Sequence, residues 1–442
     1  MLFRRGLLVG LALLGAATAF GASAKDKAAW TQSGNDSGHT GYAADANGIS
    51  SKTAPKLANT GSYTSNGSII YQPVIFDGMI YFRSGDGNFY ADNLATKQVV
   101  WSIPSYQSPA SNWGFAVGKK AIVTNCVTGN NLSGLCGYNP KTGKALWTFM
   151  LTSGGVYTPP AIDGGAAYVL SSGAEKSGSV NAPHLVAVNL KNGKEIWSQW
   201  YCDSYPTCEG FSGTPAVANG MVYVGCSGVT RYPLIQVVGA CAFTTGGALV
   251  WQHKLGSDAN GNGTDGSGMI SAVGSNVYVA YKTNCNTCNY NVDVTTLDGA
   301  SGNALWDTVI AGPYNGEANA LGAPVVGPDG ATYEAVGTDD PSVTSLASNG
   351  ASQWSVDTTA YHLYGAPTLA GKTKGGTHGA LFFTCGAQNQ GTTCVLDASD
   401  GSLIWQSSDI NVQFAFPPLV ADGVVYNICG FNNVCTYEPA KK

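Results

Sequence analysis

The stretch NPKTGKALW, residues 139–147, decides the fold, because versions of it recur along the chain. NLKNGKEIW (189–197), FTTGGALVW (243–251), DGASGNALW (298–306), LASNGASQW (346–354) and DASDGSLIW (397–405) follow it, and DNLATKQVVW (92–101) precedes it. The tryptophans are Trp101, Trp147, Trp197, Trp251, Trp306, Trp354 and Trp405, separated by 46, 50, 54, 55, 48 and 51 residues. In six of the seven copies a glycine stands four residues before the tryptophan, the residue type best able to take positive φ at a tight turn. Such a period, without helical periodicity, marks a propeller or a related repeat array.

Each unit reads as four short strands. In one of them GTPAVANG (213–220), MVYVGCSG (221–228), GACAFTTG (239–246) and GALVWQHKL (247–255) follow each other, with glycine-rich turns between them. The first strand of a unit opens on proline, as in QPVIFDG, PPAIDGG, TPAVANG, APVVGPDG, APTLAGK and PPLVADG. Proline is tolerated there because a strand start can spare its N–H. The tryptophan ring is expected to fill the space between adjacent sheets while its N–H meets a local carbonyl, which makes the seven tryptophans structural. The last unit (414–438) ends after three strands, and the segment 25–43 with Trp30 belongs to no unit. The expectation is an all-β, eight-bladed propeller of four-stranded antiparallel blades, in which an N-terminal strand completes the last blade and removes its open edge. One domain then spans residues 25–442.

Residues 1–24 read as a secretory signal peptide: Arg4 and Arg5, an apolar run from Leu7 to Leu14 too short to span a bilayer, and Ala22-Ser23-Ala24 at the cleavage site. The chain has 22 basic and 27 acidic residues, so removing the two leader arginines leaves 20 against 27, a net charge of −7. Only Arg83 and Arg231 then remain as arginines, and an acidic, arginine-poor chain is no nucleic-acid binder. All 12 cysteines lie beyond the leader, an even number in an exported chain.

The recurring G-x-x-x-W strand ends, often preceded by threonine or another small polar residue, the P-x-V-x-x-G strand starts and the leading W-x-Q-x-x-x-D-x-x-x-T-G-Y from Trp30 to Tyr42 resemble pyrroloquinoline quinone-type propellers. The resemblance spans nearly the whole chain after residue 24. It implies the eight-bladed fold and two activities of the superfamily: quinoprotein alcohol dehydrogenase, with the quinone and Ca²⁺ near the axis, and scaffolding in outer-membrane protein assembly. The residues of those activities do not carry over. There is no adjacent Cys-Cys pair, Cys285-Asn-Thr-Cys288 is followed by Asn289 rather than by the histidine of a haem-attachment motif, and no lipidation cysteine follows the apolar run.

In a four-stranded blade, the links between blades and the links between second and third strands emerge on one rim, and here those links are long. Nearest neighbours Cys126/Cys136, Cys226/Cys241, Cys385/Cys394 and Cys429/Cys435 bracket second-to-third-strand links. Cys285/Cys288 sits within another, and Cys202/Cys208 brackets an inter-blade loop. Paired this way, the cysteines would staple loops on one rim, and fixing loops beforehand lowers the entropy cost of binding. Candidate ligand-binding residues on that rim are Tyr106, Trp113, Tyr157, Tyr205, Phe211, Arg231, Tyr314, Tyr361, His362 and Tyr364, a mixture of aromatic anchors and adaptable polar neighbours. Asp258, Asn260 and Asn262 begin like an oxygen-ligand Ca²⁺ loop, although the closing glutamate is replaced by Met269.

These readings favour an exported, periplasmic or extracellular, monomeric and non-catalytic propeller that binds a protein or glycan through its stapled rim. The alternatives are a quinone- and Ca²⁺-dependent dehydrogenase of alcohols or sugars, using Arg83 or Arg231 against the quinone carboxylates, and an outer-membrane assembly scaffold.

Overall fold

The structure is a computed structural model. It describes residues 30–44, 46–104, 114–127, 133–151, 154–174, 181–200, 207–229, 236–258, 269–283, 289–315, 322–337, 341–359, 363–371, 379–386, 391–409 and 416–440. Eight antiparallel sheets follow one another along the chain. Blade 1 comprises Val74–Phe76, Met79–Arg83, Asn88–Asn93 and Val99–Pro104, and the later blades repeat this order from inside to outside. The inner strands of consecutive blades touch each other from blade 1 through to blade 8, which sets them around a common axis.

Blade 8 takes three strands from the C-terminus (Leu419–Ala421, Val424–Cys429, Asn433–Pro439) and its outer strand, Leu57–Thr64, from the N-terminal part. The ring is therefore closed by an N-terminal strand. That strand lies beyond residues 25–43, where the unassigned segment of the repeat analysis ends. Leu57 pairs with Pro439 and Thr64 with Asn433.

One contact explains both fixed residues of the repeat. The indole nitrogens of six of the seven repeat tryptophans donate to a carbonyl in the next blade: Trp101 to Pro140, Trp147 to Leu190, Trp197 to Thr245, Trp251 to Gly299, Trp306 to Ser348 and Trp354 to Ala398, at 2.8–3.1 Å. The turn glycine of that next blade then lies on the tryptophan ring. At Gly302, with φ +71°, an added Cβ would come 2.6 Å from Cδ2 of Trp251. Positive φ and a ring overhead together demand glycine. Each glycine thus serves the preceding blade's tryptophan, and the phase of the repeat is a chain of inter-blade docks.

The seam between blades 8 and 1 is built differently. Tyr63 of the closing strand stands in for tryptophan, its hydroxyl donating to the Leu94 carbonyl at 3.0 Å. Lys97 occupies the place of the turn glycine with φ +55°. Its ammonium lies 5.8 Å from the Tyr63 ring centre and donates to the Thr60 carbonyl and Thr436 Oγ1 at 2.8 and 3.0 Å. The one repeat copy without glycine is the copy that meets the closing strand.

Residues 30–43 seal the axis. They make contact with the inner strand of every blade from 1 to 7 in turn. Trp30 exchanges two backbone bonds with Ile75, and Thr31 accepts from the Val117 amide. Gln32 Oε1 accepts from the Ile162 amide. The carbonyls of Ser37, Gly38, Thr40 and Gly41 accept from Val217, Ala272, Val326 and Leu369. Tyr42–Ala43 then pairs in parallel with Leu369 and Ala370, and Asn47 reaches Asp422 of blade 8. The strand ends bonded in this way lie at the turns between first and second strands, so this segment closes the rim opposite the long links.

Candidate functional site

The open rim carries the staples. Four disulfides, Cys126–Cys136, Cys226–Cys241, Cys385–Cys394 and Cys429–Cys435, join the second and third strands of blades 2, 4, 7 and 8. Cys202, Cys285 and Cys288 lie outside the described residues, and of Cys208 only the backbone is described.

The candidate rim residues divide by what the structure describes. Tyr106, Trp113, Tyr205, Arg231, Tyr361, His362, Asn260 and Asn262 lie outside the described residues. The backbones of Phe211, Asp258, Tyr314 and Tyr364 sit near the long-link ends of their strands, their side chains being outside the description. Tyr157 is half-buried against the core between blades 3 and 4, and burial pushes its hydroxyl well above the ordinary tyrosine range.

A rim residue that the sequence reading passed over is Phe431, at the tip of the hairpin closed by Cys429–Cys435. It is 40% exposed and holds φ +58°, a strained conformation for a bulky side chain. The hairpin is tied to the entry of blade 1: the Ile69 amide donates to the Phe431 carbonyl at 2.7 Å, and the Ser65 amide to the Asn432 carbonyl at 2.9 Å. The bracketing cysteines of CGFNNVC were the available signal.

Buried ionisable groups occupy the blade interfaces. Arg83, 1% exposed, lies with Nη1 3.5 Å from Thr124 Oγ1 of blade 2, and desolvation lowers its pKa to about 10. Asp92 sits in the seam with Tyr63, one oxygen without a partner, and burial raises its pKa to about 6. Glu334 is buried with neither carboxylate oxygen partnered. Its neighbours Tyr333 and Ala335 pack towards blade 7, so strand alternation turns Glu334 towards blade 5, on the face where Val336 meets Val292. Desolvation holds this carboxyl well above the usual carboxylate range. Its cost is absent below the unfolded pKa and grows as pH rises. Replacing it by leucine is expected to stabilise the protein by about 1–3 kcal/mol at pH 8 and by less at pH 4, measured by denaturant titration.

Arg83 is turned into the interface of blades 1 and 2, and the Asp92 and Glu334 carboxyls lie in two other interfaces, so these three groups do not converge on one site for pyrroloquinoline quinone with Ca²⁺. Among the described residues no group of three or more His, Cys, Asp or Glu is placed to hold a metal ion, and no helix is long and apolar enough to cross a membrane.

Fold, blade count and interlocking tryptophans define a quinoprotein-type eight-bladed propeller. The family model described as outer membrane protein assembly factor BamB matches residues 22–201, 136–334 and 339–441, and the chain belongs to this family. BamB from Moraxella catarrhalis is similar in structure at 16% identity, with 86% of this chain and 99% of that one covered and a TM-score of 0.57. The quinohemoprotein alcohol dehydrogenase ADHIIG from Pseudomonas putida HK5 is similar at 15% identity over 94% of this chain and 81% of that one, TM-score 0.62. A europium-containing methanol dehydrogenase is similar at 13% identity over 92% and 91%, TM-score 0.63. At such identities the likeness to these structures is one of fold. No curated protein matches the chain by sequence.

Proposed function

We propose that the protein is an exported, non-catalytic propeller, residues 1–24 being its signal peptide, that binds a protein or glycan partner on the rim of long links. The carrying observation is an asymmetry: four disulfides clamp hairpins on one rim, while a segment bonded to seven blades closes the other. A core this extensive gains little stability from such short loops, so preorganisation of a recognition surface is the better reason for the staples. Phe431 extends the aromatic set of that rim as an anchor held out from the surface. The family's description as an assembly factor favours a protein as the partner.

The test places a photo-crosslinking residue at Phe431 and, as control, at the exposed Lys254 of an outer strand, in cells exporting the protein. A discrete adduct from position 431 alone is expected, and Phe431→Ala should weaken binding of the captured partner about 10-fold. Dye reduction with alcohols or sugars after addition of pyrroloquinoline quinone and Ca²⁺, with no adduct formed, would overturn the reading.

A further inference from the structure

The closed rim carries a charge pattern of its own. Blades 2 and 3 present the hairpins Asn139-Pro-Lys141-Thr-Gly-Lys144 and Asn189-Leu-Lys191-Asn-Gly-Lys194. The two are superposable in their bonding. The first asparagine accepts the amide of the first lysine at 2.9 Å in both. Its own amide donates to the carbonyl of the second lysine at 2.8 Å in both. Lys119 and Lys120 extend from the neighbouring turn of blade 2, and all six lysines are exposed. Three acidic residues accompany them: Asp77, 3.8 Å from Lys141, Asp163 and Glu195. The turns of blade 4, Asn219-Gly220 and Thr244–Gly247, carry no charge. On a chain with a net charge of −5, this is a concentrated basic arc.

Beside the arc, on the same rim, lies a groove of about 1030 Å³ across blades 8, 1 and 2. Its lining includes Phe76, Met79, Leu94, Val424 and Tyr426, with Lys119 and Lys141 on the side of the arc and Asp77 and Asp422 also at its edge. Exposed aliphatic side chains, Leu146 and Ile196, follow the lysine hairpins on the outer strands.

We propose that this rim docks on an anionic lipid surface. Lysines are point charges that suit a layer of headgroup phosphates, where planar recognition of a single phosphate would call for arginine. The apolar part of the adjoining groove, Phe76, Met79, Leu94, Val424 and Tyr426, favours lipid over an acidic protein segment, because it offers an acyl chain a place next to the cations that meet its headgroup. Docked this way, the protein turns its stapled rim away from the membrane, which leaves that rim free for its partner.

The experiment is co-sedimentation of the full exported chain with vesicles of phosphatidylcholine alone or with phosphatidylglycerol added. Binding to the anionic vesicles alone is expected, weakening as salt rises from 50 to about 300 mM. The variant K141A/K144A/K191A/K194A, whose exposed positions leave the fold intact by circular dichroism, should lose at least about 100-fold in partitioning. Wild-type protein that ignores anionic vesicles, binds neutral ones equally, or binds soluble polyglutamate in preference to both would overturn the proposal, as would a quadruple variant that partitions like wild type.

Discussion

Trp251→Ala is expected to destabilise the protein by about 3–5 kcal/mol, the cost of deleting a large, buried aromatic side chain. The ring is 8% exposed, its nitrogen donates to the Gly299 carbonyl at 2.9 Å, and the variant leaves that carbonyl to Tyr223 alone, whose hydroxyl is 3.3 Å away. Gly302→Ala should also destabilise the protein, because its methyl group would enter the same ring and its backbone holds φ +71°. The two changes are not additive: once the indole is gone the new methyl group has space, and only the backbone strain remains. A double-mutant cycle by denaturant titration should therefore give a double variant less unstable than the sum of the singles. Strict additivity would mean that the glycine is required only for its own turn.

The second large effect is a loss of stability in acid that resides in the axial segment. His39 is fully enclosed, with φ +57°, one ring nitrogen bonded to the Pro215 carbonyl and Nε2 without a partner. Desolvation lowers its pKa from 6.5 to about 4. A base whose folded pKa is depressed contributes fully above its unfolded pKa, and that contribution is lost as pH falls from 6.5 towards 4. At about 1.4 kcal/mol per pH unit the loss reaches about 3 kcal/mol. His39→Asn keeps a residue type that tolerates positive φ and removes the titration. The stability gap between wild type and this variant should shift in the variant's favour by about that amount between pH 7 and pH 4. A gap that does not move with pH would show that His39 does not titrate in this window.

Most of the architecture was legible because its determinants are local and repeat in phase. Glycine at a turn, tryptophan four residues later and proline at a strand start each report a backbone requirement that single residue types satisfy. What escaped was whatever departs from the repeat. Tyr63 takes a tryptophan's place in a strand whose sequence, LANTGSYT, has neither the glycine spacing nor the apolar alternation of the other outer strands. Lys97 stands where the other six copies have glycine, and its match is Tyr63, which lies far from it in sequence pattern. The segment SGNDSGHTGY (33–42) has no periodicity, because its conformation answers to the surrounding inner strands in succession. An added Cβ at Gly38 would come 2.3 Å from the Ala272 carbonyl oxygen, a constraint written in contacts that sequence distance conceals. The rim is harder still to read. Its aromatics stand in long links without a repeat, and Tyr157 shows that a rim position and a core contact can coincide in one side chain.

The closing strand also dictates the order in which the molecule can be made. In chain order, the axial segment and Leu57–Thr64 precede the strands of blades 1 to 7, and the other three strands of blade 8 follow them. Until Asn433–Pro439 arrives, the closing strand has no neighbour to pair with and the axial segment no complete set of inner strands to lie against. Closure across nearly the whole chain is costly in loop entropy and slow. The ring can thus lock only once the strands of blade 8 are delivered, an order compatible with the export proposed above.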